Sequence, residues 1–181
     1  GTWRQHVGGL LSNRTVGIIG CGFVGKDLVQ LLKPFNCRIL VNDIRNYADF
    51  YAEHGIEAVD LDRLLSSADV ITLHVPLDES TRGLLDARRL ALIKQTAILI
   101  NTARGDLVDE SALKEMLANR NLAAAAFDVF ASEPPQDEVL LSLPNFLCTP
   151  HIGGSAEEAI LAMGRAAIAG LDTNTVPQEI A

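Results

Sequence analysis

Three glycines early in the sequence have the spacing of a phosphate-binding loop. Gly20, Gly22 and Gly25 form a Gly-x-Gly-x-x-Gly pattern between an apolar run and a segment of helix length. In such a loop the first glycine permits a tight turn, the second lets the backbone approach a pyrophosphate, and the third lets the helix pack closely on the strand. The phosphates would lie at the positive end of the helix that starts near Phe23. Asp43 ends the next apolar run, where an acid can accept hydrogen bonds from an adenosine ribose, so we predict a dinucleotide site.

The same acid bears on which dinucleotide binds. A carboxylate at Asp43 repels a ribose 2′-phosphate, which favours NAD over NADP, although Arg45 could soften this preference. We therefore predict NAD as the cofactor and tighter binding of NADH than of NADPH. A glycine-rich turn followed by a helix-capping aspartate is the alternative interpretation of the same residues.

Cationic, acidic and imidazole side chains follow the later apolar runs. They are His74, Arg104, Asp128, Glu133 and His151. In an open α/β sheet, ligands collect beyond the carboxyl ends of the strands. We therefore expect one cationic group, two acids and two histidines to converge on one edge of the sheet, beside the cofactor. Taken singly, each of them could also end a strand, brace a turn or lie in a solvated loop.

Six short apolar runs alternate with longer mixed segments. The runs are 15–20, 38–41, 70–73, 97–100, 123–127 and 146–148, and the segments are 24–33, 47–54, 62–66, 86–92, 109–119 and 156–171. Continuously apolar runs of this length are typical of strands buried on both faces, and their alternation with helices predicts βαβ units. The predicted fold is a doubly wound parallel α/β sheet in a single domain, 1–181, with 1–14 and 172–181 as flanking segments.

Composition and charge exclude several classes of protein. The 181 residues are 48% hydrophobic and 21% charged, which excludes a disordered or collagen-like chain. The net charge of −8 and the lack of a basic block argue against nucleic acid as a partner. Prolines and glycines interrupt the longest uncharged stretch, 139–156, so no membrane span is predicted. Cys21, Cys37 and Cys148 lack metal-ligand spacing, so we expect no metal site, buried reduced thiols and a cytoplasmic location.

Four ordered motifs accompany the glycine loop. They are Leu73-His74-Val75-Pro76-Leu77, the stretch 101–110 (NTARGDLVDE), 127–130 followed by Glu133-Pro134, and Pro150-His151-Ile152-Gly153-Gly154. With these motifs in this order, the sequence resembles the D-isomer-specific 2-hydroxyacid dehydrogenases, which include phosphoglycerate dehydrogenase and glyoxylate reductase-type enzymes. The resemblance covers essentially the whole chain.

The resemblance implies a role for each polar residue. Arg104 would hold the carboxylate and carbonyl of a 2-oxo acid, His151 would be the acid/base, and Glu133 would pair with that histidine. Asp128 would orient the nicotinamide. The implied cofactor-lining residues are Gly20, Gly22, Phe23, Val24, Gly25, Asp43, His74, Val75, Pro76, Thr102, Ala103, Arg104, Asp128, His151 and Gly153.

These roles agree with the chemistry of the residue types. An arginine fork can hold a carboxylate and polarise the adjacent carbonyl. A histidine titrates near neutral pH, and a neighbouring carboxylate favours its imidazolium form. His151 would therefore start protonated for reduction and accept a proton in oxidation, while the hydride belongs to the nicotinamide.

The resemblance also implies a second domain, for which 181 residues leave no room. The glycine loop begins at Gly20 and few residues follow Leu171. We therefore expect the cofactor-binding domain alone, either as part of a longer protein or as a naturally short chain, and expect it to be inactive by itself. The family also implies a homodimer formed through this domain, with 2–11 as the candidate contact segment.

Two other functions compete with the dehydrogenase interpretation. One is an NAD(H)-sensing binding module of the corepressor type, and retention of Arg104, Glu133 and His151 does not discriminate against it. The other is formate dehydrogenase, a relative with glutamine in place of the histidine-pairing acid, which Glu133 disfavours.

Overall fold

The computed structural model describes residues 3, 5 and 7–172 of the chain. Positions 2, 4 and 6 of the candidate contact segment, and the flanking residues 173–181, lie outside the described residues. Within the described part, no helix is both long enough and apolar enough to cross a bilayer.

Seven parallel strands form one sheet in the part of the chain that the structure describes. They are β1 (Thr15–Ile19), β2 (Arg38–Asn42), β3 (Glu57–Ala58), β4 (Val70–Leu73), β5 (Ile98–Asn101), β6 (Ala124–Phe127) and β7 (Phe146–Cys148). The order across the sheet is β3-β2-β1-β4-β5-β6-β7, and every neighbouring pair is parallel. The chain runs outward from β1 to β3 and resumes at β4 on the other side of β1. The predicted doubly wound sheet is confirmed, and its switch point lies between β1 and β4.

Within residues 7–172, seven α-helices connect or flank these strands. They are α1 (Phe23–Leu32), α2 (Ala48–His54), α3 (Leu61–Ser67), α4 (Ala87–Leu90), α5 (Glu110–Ala118), α6 (Glu138–Ser142) and α7 (Glu157–Asp172). Aspartates 60, 86, 109 and 137 cap α3, α4, α5 and α6, each accepting a backbone N–H three residues later. Helix α1 instead has Gly22 as its N-cap, which supplies no side-chain hydrogen bond.

Apolar side chains cover both faces of the sheet. Ile18 belongs to one buried cluster, with Val29 of α1, whereas its neighbour Ile19 belongs to a second cluster, with Leu64 of α3. Successive residues of a strand point to opposite faces, so a sheet with a core on each side needs apolar residues at consecutive positions. This requirement explains why the strands appear in the sequence as continuous apolar runs.

Some local features differ from the sequence-based expectations. Strand β3 and helix α6 were not predicted, and the expected helix 86–92 is reduced to Ala87–Leu90. The prediction of buried thiols holds for Cys21 but is wrong for Cys148, which is exposed; Cys37 is half-buried. Cys148 is the last residue of β7, which lies at the edge of the sheet and pairs with β6 alone among the described strands. The sheet therefore does not force the Cys148 side chain to be buried.

Candidate active site

At two glycines of the loop after β1, neighbouring backbone atoms leave no room for a side chain. Gly20 has φ +96°, and a Cβ there would lie 2.6 Å from the carbonyl oxygen of His74. A Cβ on Gly25 would lie 2.2 Å from the carbonyl oxygen of Gly20. A Cβ on Gly22 would meet nothing within 4 Å. Gly22 therefore faces open space, where a ligand could approach the backbone.

Helix α1 offers its first amide groups beside that space. Its N-cap is Gly22, without a side-chain hydrogen bond, and Phe23 is 94% exposed at the first helical position. The first N–H groups of a helix lack intrahelical partners and carry the positive end of the helix dipole. The loop and this helix start together fit a pyrophosphate.

Asp43 is held against the glycine loop. It follows β2, and its Oδ2 accepts a hydrogen bond from the N–H of Cys21 at 2.5 Å. Its Oδ1 accepts one from the N–H of Arg45 at 2.7 Å. A carboxylate has about four lone-pair sites, so both oxygens can still accept hydrogen bonds from a ribose.

His74 packs against the glycine loop, and its ring is not a free acid or base. Its N–H donates to the carbonyl of Ile19 at 2.7 Å, and its ring Nε2 lies 3.0 Å from the hydroxyl of Thr72. Burial lowers the pKa of His74, so its ring stays neutral near pH 7. The backbone of His74 and the side chain of Val75 lie against Gly20. His74 thus lies beside the glycine loop, and its role in lining a cofactor stays a prediction.

A buried asparagine shapes the loop that carries Arg104. The Asn101 side chain is fully buried; its Nδ2 donates to the carbonyl of Arg104 at 2.8 Å, and its Oδ1 accepts from the N–H of Ala103 at 3.1 Å. The Arg104 side chain is exposed and donates to the carbonyl of Ala103 at 2.6 Å. Sequence analysis missed the role of Asn101, and the available signal was a polar residue that ends a buried strand.

Asp128 organises the loop that carries His151. Its carboxylate accepts hydrogen bonds from Thr149 Oγ1 at 2.5 Å and from the N–H groups of Ile152 and Gly153, both at 2.8 Å. Burial acts to raise the pKa of Asp128, but these hydrogen bonds outweigh it and keep the pKa below its ordinary value. Sequence analysis placed Asp128 toward the nicotinamide and missed both Thr149 and this contact with the loop.

Glu133 and His151 form a direct pair. Glu133 Oε2 lies 2.8 Å from His151 Nδ1, and Glu133 Oε1 accepts from the N–H of Phe130 at 3.1 Å. The hydrogen bond with His151, together with that from Phe130, lowers the pKa of Glu133. His151 has φ +53°, an uncommon backbone conformation that is frequent at functional sites. Since Nδ1 faces Glu133, Nε2 is the ring nitrogen left to meet a substrate.

The polar residues lie at consecutive strand ends along one edge of the sheet. The N–H of Asp128 donates to the carbonyl of Asn101 at 2.9 Å, and that of Thr149 donates to Phe127 at 3.0 Å, so the segments after β5, β6 and β7 are joined. The other proposed cofactor residues lie on this edge as well: Val24, Pro76 and Thr102 are exposed, and Val75 and Ala103 are half-buried. No group of three metal-ligating side chains occurs among residues 7–172.

Comparison with known proteins identifies the family. Residues 1–153 match the D-isomer specific 2-hydroxyacid dehydrogenase, NAD binding domain. The chain belongs to this family. It is 43% identical over 167 residues to D-3-phosphoglycerate dehydrogenase of Methanocaldococcus jannaschii, covering 91% of this chain and 32% of that protein. It is 40% identical over 169 residues to hydroxypyruvate reductase of Thermotoga maritima, covering 91% of this chain and 54% of that protein.

Solved structures give the same result. A D-lactate dehydrogenase from Sporolactobacillus matches with a TM-score of 0.85 and 36% identity, covering 97% of this chain and 58% of that one. An NAD complex of a D-isomer specific 2-hydroxyacid dehydrogenase from Lactobacillus delbrueckii matches with a TM-score of 0.81 and 26% identity, covering 95% and 56%. The chain thus spans about a third to a little over half of the length of these relatives. They are dehydrogenases and reductases, so the corepressor alternative gains no support from them.

Proposed function

We propose that the protein interconverts D-2-hydroxy acids and 2-oxo acids by hydride transfer, with this chain as the NAD-binding part. The observation that carries the proposal is the Glu133–His151 pair, 2.8 Å apart, on the same sheet edge as the glycine loop. A proton donor beside a dinucleotide site is what carbonyl reduction by hydride requires.

Each of the three proposed catalytic residues has a distinct task. The nicotinamide supplies the hydride when it is bound. The Arg104 guanidinium holds the substrate carboxylate through two parallel hydrogen bonds and polarises the neighbouring carbonyl. His151 donates a proton from Nε2 to the carbonyl oxygen, and Glu133 stabilises the imidazolium and orients its ring through Nδ1.

We further propose a homodimer in the cytoplasm. The described residues of the candidate contact segment include large apolar side chains that are exposed to solvent: Trp3 is 94% exposed, Val7 99% and Leu10 71%. Exposed apolar side chains grouped on one segment favour burial in an interface. Sedimentation equilibrium of the chain, with Trp3→Ser as the variant, tests this: a monomeric parent would contradict it.

Glu133→Gln is expected to move the pH dependence of 2-oxo acid reduction in the complete enzyme. The Glu133 carboxylate lies 2.8 Å from His151 Nδ1, and it is negatively charged at neutral pH, well above its lowered pKa. The variant removes this charge from beside the proposed proton donor, so the reduction rate should fall off at a lower pH than in the parent. NADH affinity should stay the same.

The matched control is Glu115→Gln, which changes an exposed glutamate on α5. An unshifted pH–rate profile for Glu133→Gln would remove Glu133 from the mechanism. A profile that shifts equally in the control would point to a general effect of net charge instead.

NADH is expected to bind the chain about tenfold or more tightly than NADPH, which corresponds to about 1.4 kcal/mol. The 2′-phosphate of NADPH would meet the Asp43 carboxylate, which Cys21 and Arg45 hold at the loop. Titrations at one fixed salt concentration measure both affinities. Arg45→Ala should widen the difference, Arg165→Ala on α7 should leave it unchanged, and equal affinities in the parent would contradict the prediction.

A further inference from the structure

The segment that carries Glu133 rests on the segment that carries Arg104. A Cβ on Gly105, the residue after Arg104, would lie 1.8 Å from the carbonyl carbon of Phe130 and 2.1 Å from the backbone nitrogen of Ala131. Only a glycine allows so close an approach of two backbones. The segment that carries Glu133 and the segment that carries Arg104 therefore contact each other at the peptide between Phe130 and Ala131.

A carboxylate from a third segment binds the same peptide. Glu110 is the first residue of α5, and its Oε1 accepts a hydrogen bond from the N–H of Ala131 at 2.8 Å. Burial raises the pKa of Glu110, and the nearby charges of Asp106 and Asp137 raise it further. The site is electrostatically unfavourable for a carboxylate, although Lys114, 2.6 Å from Asp137, offsets part of that charge. The hydrogen bond to Ala131 is the interaction that favours an anion there.

The same peptide leads directly to the acid/base pair. The N–H of Phe130 donates to Glu133 Oε1, and Glu133 Oε2 holds His151 Nδ1. Two consecutive N–H groups, those of Phe130 and Ala131, therefore bind two carboxylates from different segments, Glu133 and Glu110. Movement of this peptide would displace Glu133 relative to Arg104.

We propose that Glu110 is a positioning residue that fixes the Phe130–Ala131 peptide against Gly105 and so sets the arrangement of Arg104 relative to the Glu133–His151 pair. The proposal rests on the function proposed above for those three residues. The competing explanation is that Glu110 serves only α5, as an acid at the positive end of the helix dipole. Asp109 already caps that helix through the N–H of Ala112, at 3.0 Å.

Three variants separate these explanations. Glu110→Ala removes the acceptor, and Glu110→Gln keeps a side-chain oxygen at the same length. Glu110→Asp keeps the negative charge at the start of α5 but shortens the side chain by one methylene group. Glu115→Ala, an exposed glutamate of the same helix, is the control.

The measurements are the hydrogen-exchange rate of the Ala131 amide and the carboxyl titration of Glu133, both by NMR on the 181-residue chain. The Glu133 resonance is identified by its loss in Glu133→Gln. We expect Glu110→Ala and Glu110→Asp to speed Ala131 exchange and to raise the pKa of Glu133 toward its ordinary value, because the Phe130 N–H and His151 are then held less well. Glu110→Gln and Glu115→Ala should leave Ala131 exchange unchanged and should not raise the pKa of Glu133.

The sign of the Glu133 shift excludes a direct charge effect. The other charged groups around Glu133 are His151 and Asp128, which none of these variants alters. Loss of the Glu110 charge by itself would favour a second carboxylate and so lower the pKa of Glu133, opposite to the expected rise.

Two contrary results are distinguishable, one against the role of Glu110 and one against the Glu133–His151 pair. Unchanged Ala131 exchange and Glu133 titration in Glu110→Ala, or in Glu110→Asp if the alanine variant does not fold, would overturn the positioning role of Glu110. A parent chain in which Glu133 titrates as an ordinary glutamate would instead overturn the Glu133–His151 pair, and with it the proposed function.

Discussion

Gly25→Ala is expected to weaken NADH binding by the 181-residue chain about 100-fold or more. The added Cβ would lie 2.2 Å from the carbonyl oxygen of Gly20, a backbone atom that cannot rotate away. The start of α1 must then move off β1, and overpacking of this kind costs about 3 kcal/mol, which corresponds to about 100-fold in affinity. Fluorescence titration with NADH measures the loss, and circular dichroism establishes whether the variant folds.

Gly22→Ala distinguishes damage to the fold from damage to the cofactor site. Its Cβ would meet no protein atom within 4 Å, and Gly22 has φ −70°, which alanine adopts readily. The melting temperature should therefore fall by only about 2–4 °C, because alanine is a poorer N-cap than glycine, while NADH binds more weakly because the Cβ occupies the space proposed for the pyrophosphate. Gly164→Ala, inside α7 and also without neighbours within 4 Å, should leave the NADH affinity unchanged and raise the melting temperature slightly, because alanine favours a helix over glycine. Parent-like NADH affinity in Gly22→Ala would contradict the proposed path of the pyrophosphate.

The 181-residue chain is expected to reduce glyoxylate, pyruvate or hydroxypyruvate no faster than background, even with NADH bound. Its proposed catalytic groups face water: the side chains of His151 and Glu133 are 50% and 39% exposed, and Arg104 is exposed. An ion pair between Arg104 and a substrate carboxylate in open water contributes about 1 kcal/mol or less. Misplacement of the reacting groups alone can cost about 100-fold in rate.

Oxidation of NADH, followed by its absorbance, tests this expectation. A full-length relative such as the Thermotoga hydroxypyruvate reductase serves as the positive control in the same assay. Robust steady-state turnover by the 181-residue chain would show that the groups on this sheet edge suffice for catalysis.

Much of the fold could be predicted because its elements leave local patterns. Six of the seven strands appear in the sequence as continuous apolar runs, since both faces of the sheet are covered. Strand β3 has only two residues, Glu57 and Ala58, which are too few to form a pattern. Helix α6 has five residues and follows Pro134 and Pro135, which indicate a turn or loop.

The types of the site residues could also be predicted, but their contacts could not. Arg104, Glu133 and His151 stand at strand ends, where the doubly wound fold collects functional groups. Asn101 bonds to Arg104 within its own loop, whereas Glu110 bonds to Ala131 and Thr149 bonds to Asp128, contacts that each span 21 residues and join different loops. No local pattern in the sequence predicts a contact between different loops, because such a contact depends on which strands become neighbours in the sheet.

Mapping NADH on the chain by NMR tests the central claim most directly. The amide resonances of the described residues would be followed as NADH is added. The largest shifts should occur at Gly20–Gly25, Asp43 and His74, and smaller ones in the loops at Arg104 and His151. A separate cavity of about 580 Å³ lies between α1 and α2 and is lined by Val29, Lys33, Phe50 and His54. Shifts centred on that cavity, or no binding of NADH at all, would contradict the assignment of the glycine-loop edge as the cofactor site.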